Sequence, residues 1–216
     1  MKHSGLIVFV ATLALSLRIQ GATVKVTVHD LKGAPVVNAV VYAEESNTGP
    51  AQSRHEAVID QRNKQFVPYV TAVQVGTSII FPNKDNIRHH VYSLSPAKRF
   101  ELPLYSGIPA RPVLFDKSGF VTLGCNIHDW MIAYVAVLPT PLFQVTGNDG
   151  RVLLKELPAG RHVVKVWHPL LKGSPEQFAQ PVDLTANSTR EIVFALDLKP
   201  DFRVHRAPGL STGGYP

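Results

Sequence analysis

Short segments in which valine alternates with polar residues dominate this chain, and they constrain its fold more than any other feature. "ATVKVTVHD", residues 22–30, sets Val24, Val26 and Val28 against Lys25, Thr27 and His29. A period of two places the valines on one face of a strand and the polar side chains on the other. "LKGAPV" turns the chain and "VNAVVYAEE" returns it as a second strand, before the polar linker "SNTGPAQS". Further strands at turn-like spacing begin in "HEAVIDQRNKQFVPYVTAVQVGTSIIFPN" and continue through "HHVYSLS", "VLFDKSGFVTLGC" and "MIAYVAVLP". A last group runs "LFQVTGNDGRVLLKELPAGRHVVKVWHP" and "EIVFALDL", with tight turns at "GNDG" and "LPAG". No long segment shows a helical apolar period. The pattern predicts an all-β protein, a sandwich or barrel of short strands.

The 216 residues allow one sizeable domain or two small ones, and 45% apolar against 18% charged residues is enough for a packed core. The first 22 residues, "MKHSGLIVFVATLALSLRIQGA", read as a secretory leader. They have a basic start at Lys2, an apolar stretch from Leu6 to Leu17 that is short for a membrane span, and small residues at Gly21 and Ala22. Export to the periplasm is expected, with a mature chain starting near Thr23 and no integral membrane segment after leader removal. Losing Lys2 and Arg18, and no acid, lowers the formal charge from +6 to +4. The remaining basic residues are scattered and do not interleave with aromatics, which argues against nucleic acid as a partner.

The chain contains one cysteine, Cys125, which cannot form an internal disulfide. A free thiol in an oxidising compartment needs protection, and metal ligation supplies it. "GCNIHDWM" places Cys125, His128 and Met131 at C-x2-H-x2-M spacing, and Met131 is the only methionine beyond Met1. Soft sulfur donors select copper, and imidazole suits it as well. Zinc favours four strong donors, and thioether is a weak one. Two imidazoles and a thiolate in a trigonal plane, with a weak axial methionine, form the electron-transfer copper geometry. The loop lacks a second histidine, which "NIRHHVYS" supplies 36 residues before the cysteine. His89 and His90 are neighbours on a strand and point to opposite faces, and spacing alone does not choose between them.

These residues resemble the cupredoxins, the small blue-copper proteins, over about His55 to Leu138. Among them the C-x2-H-x2-M spacing is most similar to that of the amicyanins. In the family the first histidine ligand follows an "F-x-N" strand end and precedes Asn-Val; "FPNKDNIRHHVYS" therefore aligns His89 with the ligand and His90 with the asparagine. The resemblance implies His89, Cys125, His128 and Met131 as ligands of one type 1 copper ion, with His128 the more exposed. Two departures stand out. Family members often carry Tyr or Phe before the cysteine, where this chain has Gly124, and the asparagine that braces the two ligand loops is here His90.

The flanks resemble a carboxypeptidase-regulatory or transthyretin-like sandwich, through "VTVHDLKGAPVVNAVVYAEES" and "FQVTGNDGRVLLKELPAGRHVVKVWH". Neither half has enough strands to close a core, so the expected layout inserts the copper domain between them. It assigns 1–22 to the signal peptide, 23–50 to the first strands of the small sandwich, 51–138 to the cupredoxin domain, 139–198 to the rest of the small sandwich and 199–216 to a flexible tail. Chains of this layout resemble those labelled methylamine-utilisation proteins. His162 and His168 in "RHVVKVWHP" are expected to be surface histidines rather than a second metal site.

No Ser-His-Asp arrangement, phosphate loop or catalytic carboxylate pair is apparent, so the expected role is not enzymatic. The resemblance implies electron transfer in the bacterial cell envelope with a redox partner protein. Copper storage or delivery, or a β-sandwich binding module without redox function, are the alternatives.

Overall fold

The computed structural model describes residues 21–45, 55–109 and 111–201. Residues 1–20 of the leader, the "SNTGPAQS" linker and the tail from Phe202 lie outside the described residues. Among the described residues, every regular element apart from one turn of 3₁₀ helix at Pro175–Phe178 is a strand. In chain order these are β1 (Ala22–Asp30), β2 (Val40–Glu45), β3 (Glu56–Val58), β4 (Asp60–Arg62), β5 (Gln65–Val67) and β6 (Val70–Gln74). They continue as β7 (Thr77–Ile80), β8 (His89–Ser95), β9 (Lys98–Tyr105), β10 (Val113–Phe115), β11 (Gly119–Gly124) and β12 (Ile132–Leu138). The last are β13 (Phe143–Val145), β14 (Arg151–Leu157), β15 (Gly160–Trp167), β16 (Gln180–Leu184) and β17 (Thr189–Leu196). The protein is all-β, as the alternation predicts.

The strands build two sandwiches. One packs the sheet β14-β1-β17 against β13-β2-β15-β16, so strands from both flanks share it. Its core is aliphatic: Val24, Val26 and Val28 meet Val41, Ala43, Val164 and Val166, all at most 1% exposed. Burying each such valine contributes about 1.5–3 kcal/mol. Lys25, on the outer face of β1, is directly opposite Glu191 and pairs with it at 3.3 Å. That exposed ion pair is worth at most about 1 kcal/mol, so burial rather than charge decides the register.

The other sandwich packs β6-β12-β11-β8-β9 against β10-β7-β3, with the short hairpin β4-β5 at one end. Between β8-β9 and β11 the chain crosses to the opposite sheet as β10, a Greek-key return. Its core holds Phe81, Phe115, Leu123 and Val135 together with Cys125 and Met131.

A third apolar cluster joins the two sandwiches: Val40, Tyr42 and Trp167 pack on Val70, Ala136 and Leu138. Trp167 stacks on Phe120 at 4.3 Å between ring centres and 5° between planes. Both outer sheet faces are therefore apolar here, and a sheet buried on both sides explains the nearly continuous apolar run of β12.

His162 and His168 correct the expectation of surface histidines: they are 0% and 7% exposed. β15 is an inner strand between β2 and β16, and its pleat puts His162 on the same face as Val164 and Val166. The His162 Nε2–H donates to the Pro158 carbonyl at 2.8 Å, while Nδ1 is buried without a partner. Neither residue belongs to a metal-competent cluster among the described residues.

Candidate metal centre

The centre forms where β8 and β11 lie side by side. Pairing of Gly124 with Tyr92 brings the end of β11, and so Cys125, next to the start of β8. The pleat of β8 directs His89, Val91 and Ser93 to one face and His90 and Tyr92 to the other, where His90 is still only 5% exposed. His89 is 0% exposed and its Nδ1 is 4.0 Å from Cys125 Sγ. His90 faces the other way, where Nε2 bonds Glu101 at 2.8 Å. The backbone thus separates the two neighbours that spacing alone left equivalent.

After Cys125 the chain makes one turn, closed by Met131 N–H donating to the His128 carbonyl at 3.0 Å. This turn returns His128 Nδ1 to 4.0 Å from Cys125 Sγ. Donor atoms of His89, Cys125 and His128 all lie within 4.8 Å of one another. The His89 and His128 ring centres are 5.1 Å apart, with the planes tilted at 59° rather than stacked. Met131 is 1% exposed, in the same core as Cys125. His128 is only partly buried, unlike His89 and Cys125.

Hydrogen bonding prepares these side chains as ligands. His89 Nε2 lies 2.7 Å from Asp85 Oδ2. Donation of Nε2–H to this carboxylate fixes the tautomer and leaves the Nδ1 lone pair facing Cys125. Asp85 in turn accepts from the backbone N–H groups of Asn63 at 2.6 Å and Lys64 at 2.9 Å. Burial alone would raise its carboxyl, but the bonds from Lys64, His89 and Asn63 outweigh that and hold it below the usual carboxylate range. His128 is shifted down by burial, then by the neighbouring His89 and Lys64, which favours the neutral imidazole that a metal ligand requires. Asn83 holds the loop that leads into His89, donating to the carbonyls of Ile87 and Tyr105 at 2.8 Å each.

The Gly124 departure has a steric cause. A Cβ at Gly124 would meet the Tyr92 ring at 2.9 Å. The aromatic cover beside the cysteine therefore comes from the paired strand. Tyr92, Gly124, Cys125, Asp129 and Met131 line a groove of about 610 Å³ on this side. Trp130 lies against His128, with ring centres 5.1 Å apart, and donates Nε1–H to the Lys64 carbonyl at 3.2 Å.

The donor set fits copper. First-row ions lie roughly 2.0–2.3 Å from imidazole nitrogen and thiolate sulfur, so one ion between donors 4.0 Å apart meets both with little movement. A buried thioether beside a thiolate and two imidazoles matches the soft-donor preference of copper. Sequence reasoning picked out the donors and missed Asp85, Asn63 and Lys64. Asp85 had one available signal, a carboxylate four residues ahead of a ligand histidine in a short loop.

No protein-family model matches this chain, and no curated protein matches it in sequence. Among solved structures it is similar to the copper-containing nitrite reductase (NirK) of Thermus scotoductus SA-01, at 22% identity and a TM-score of 0.38. That match covers 46% of this chain and 26% of the reductase, so the chain spans about a quarter of that protein. It is similar to a purple cupredoxin from Nitrosopumilus maritimus at 21% identity and a TM-score of 0.34, over 39% of this chain and 99% of that one. It is also similar to a reduced tyrosine-for-tryptophan variant of amicyanin, at 20% identity and a TM-score of 0.35, over 45% of this chain and 99% of amicyanin.

Proposed function

We propose that this chain is a type 1 copper protein that transfers electrons in the bacterial cell envelope. The observation that carries the reading is the convergence of His89, Cys125 and His128 donors within 4.8 Å, with Met131 buried in the same core. Copper bound there supplies one-electron chemistry by alternating between Cu(I) and Cu(II). The chain's own residues limit rearrangement during that change. His89 and Cys125 are at strand ends, and Asp85 holds the His89 ring in place. His128, the least buried of the three clustered donors, is the candidate point of contact for a partner protein.

Burial supports electron transfer over storage or delivery. His89, Cys125 and Met131 are at most 5% exposed, which slows exchange of a bound ion. The reading includes one ion per chain, no catalytic turnover and a periplasmic location set by the leader. Among the described residues no helix is long and apolar enough to cross a membrane. Electrochemical cycling in the presence of a copper chelator tests the proposal. It expects one copper per chain, kept through repeated reduction and reoxidation. Loss of the ion on each reduction would favour delivery instead.

A further inference from the structure

We infer that the β4-β5 hairpin is the brace that fixes the two ligand-bearing segments relative to each other, with Trp130 as its positioning residue; this rests on the copper reading above. The base of the hairpin is tied to the His89 side. Gln61 N–H donates to the Pro82 carbonyl at 2.8 Å, and Lys84 N–H returns to the Gln61 carbonyl at 2.8 Å. Asp60, 7% exposed, adds ion pairs to Arg62 and Lys84.

The tip of the hairpin reaches both segments. Asn63 and Lys64 have φ of 53° and 57°, the doubly left-handed pair of a type I′ turn. That conformation aims their two N–H groups at the Asp85 carboxylate, which holds His89. The Lys64 carbonyl accepts the Trp130 indole N–H from the Cys125–Met131 loop. Phe66, on the opposite arm, is 3% exposed in the core shared with Cys125 and Met131. One turn thus grips the histidine arm by two amides and the sulfur loop by one carbonyl.

This arrangement fills a role that His90 leaves open. His90 pairs with Glu101 instead and provides no link between the ligand segments. Because the grip is made by backbone groups, the Asn63 side chain is expendable while the indole N–H is not.

Trp130→Phe keeps a ring beside His128 and removes the donor together with part of the indole's bulk. Asn63→Gly keeps the turn's amides, carbonyl and positive φ, and leaves the Lys64 charge in place. Outer-shell partners of metal ligands typically change affinity by about 10–100-fold. Trp130→Phe is expected to speed copper loss to a chelator about 10-fold and to alter the visible spectrum, with an unchanged melting temperature of the metal-free protein. The Asn63→Gly variant is expected to match the parent in exchange rate and spectrum. In the metal-free protein, iodoacetamide should alkylate Cys125 faster in Trp130→Phe than in the parent. Equal alkylation rates overturn the brace. If no variant or parent takes up copper, the copper reading falls, while the alkylation comparison still decides whether the hairpin holds the loop.

Discussion

Each sandwich buries one histidine completely, and the two fates differ. His89 and His162 are both 0% exposed, and both give one ring nitrogen to an oxygen acceptor. For His89 the acceptor is the Asp85 carboxylate, and the other nitrogen faces a thiol and a second imidazole. For His162 the acceptor is the Pro158 carbonyl, and the other nitrogen is buried without a hydrogen-bond partner. An unpaired buried nitrogen costs about 1–3 kcal/mol, and only in the first sandwich do neighbouring donors give it a use. Burial alone makes no site; convergence of donors does.

The largest expected effect lies where the sandwiches join. Trp167→Ala removes the ring stacked on Phe120 and should cost about 3–5 kcal/mol in urea unfolding. The visible spectrum of copper-loaded protein should not change, since the ligands lie in the other sandwich's own core. A shifted spectrum would show that the centre depends on the junction and blur the contrast between the two regions.

One substitution at each buried histidine's hydrogen-bonded pair sharpens the contrast. Asp85→Asn should weaken copper binding by about 10–100-fold. His162→Leu replaces the orphaned ring with an apolar side chain, and Pro158 is exposed so its carbonyl can turn to water. Stability should then change by less than about 1 kcal/mol, with copper affinity unaffected. Competition titration and thermal melts distinguish these outcomes, and a copper defect in His162→Leu would break the comparison.

A smaller effect concerns acid. Burial alone would raise the Asp60 carboxyl, but Lys84 and Arg62 outweigh it and hold it below the usual range. A depressed carboxylate contributes stability that is fully present above its unfolded value of about 3.9 and is lost as pH falls through the lower folded value. Asp60→Asn should therefore flatten stability against pH below about 4, with no matching change in the sandwich built around His162. Melts at several acidic pH values provide the check.

Much of this was legible in the sequence. Alternation marked β1 and β15, and "GNDG" and "LPAG" marked the turns around β14, because a period of two and turn chemistry are local. The closeness of Cys125, His128 and Met131 follows from their spacing in one loop. The choice between His89 and His90 was not local, since it depends on which face of β8 meets β11. The burial of His162 was hidden for the same reason: nothing near it in sequence says that β15 is an inner strand. The hairpin tip was hardest to see, because Lys64 is an uncommon residue at positive φ and acts through its backbone.

The most direct measurement is the visible and paramagnetic resonance spectrum of copper-loaded protein, compared for the parent, His89→Ala and His90→Ala. The account predicts an intense thiolate-to-copper band in the parent, kept in His90→Ala and abolished or strongly altered in His89→Ala. A parent that stays colourless with cupric ion, or a band that survives loss of His89 and disappears with His90, would contradict it.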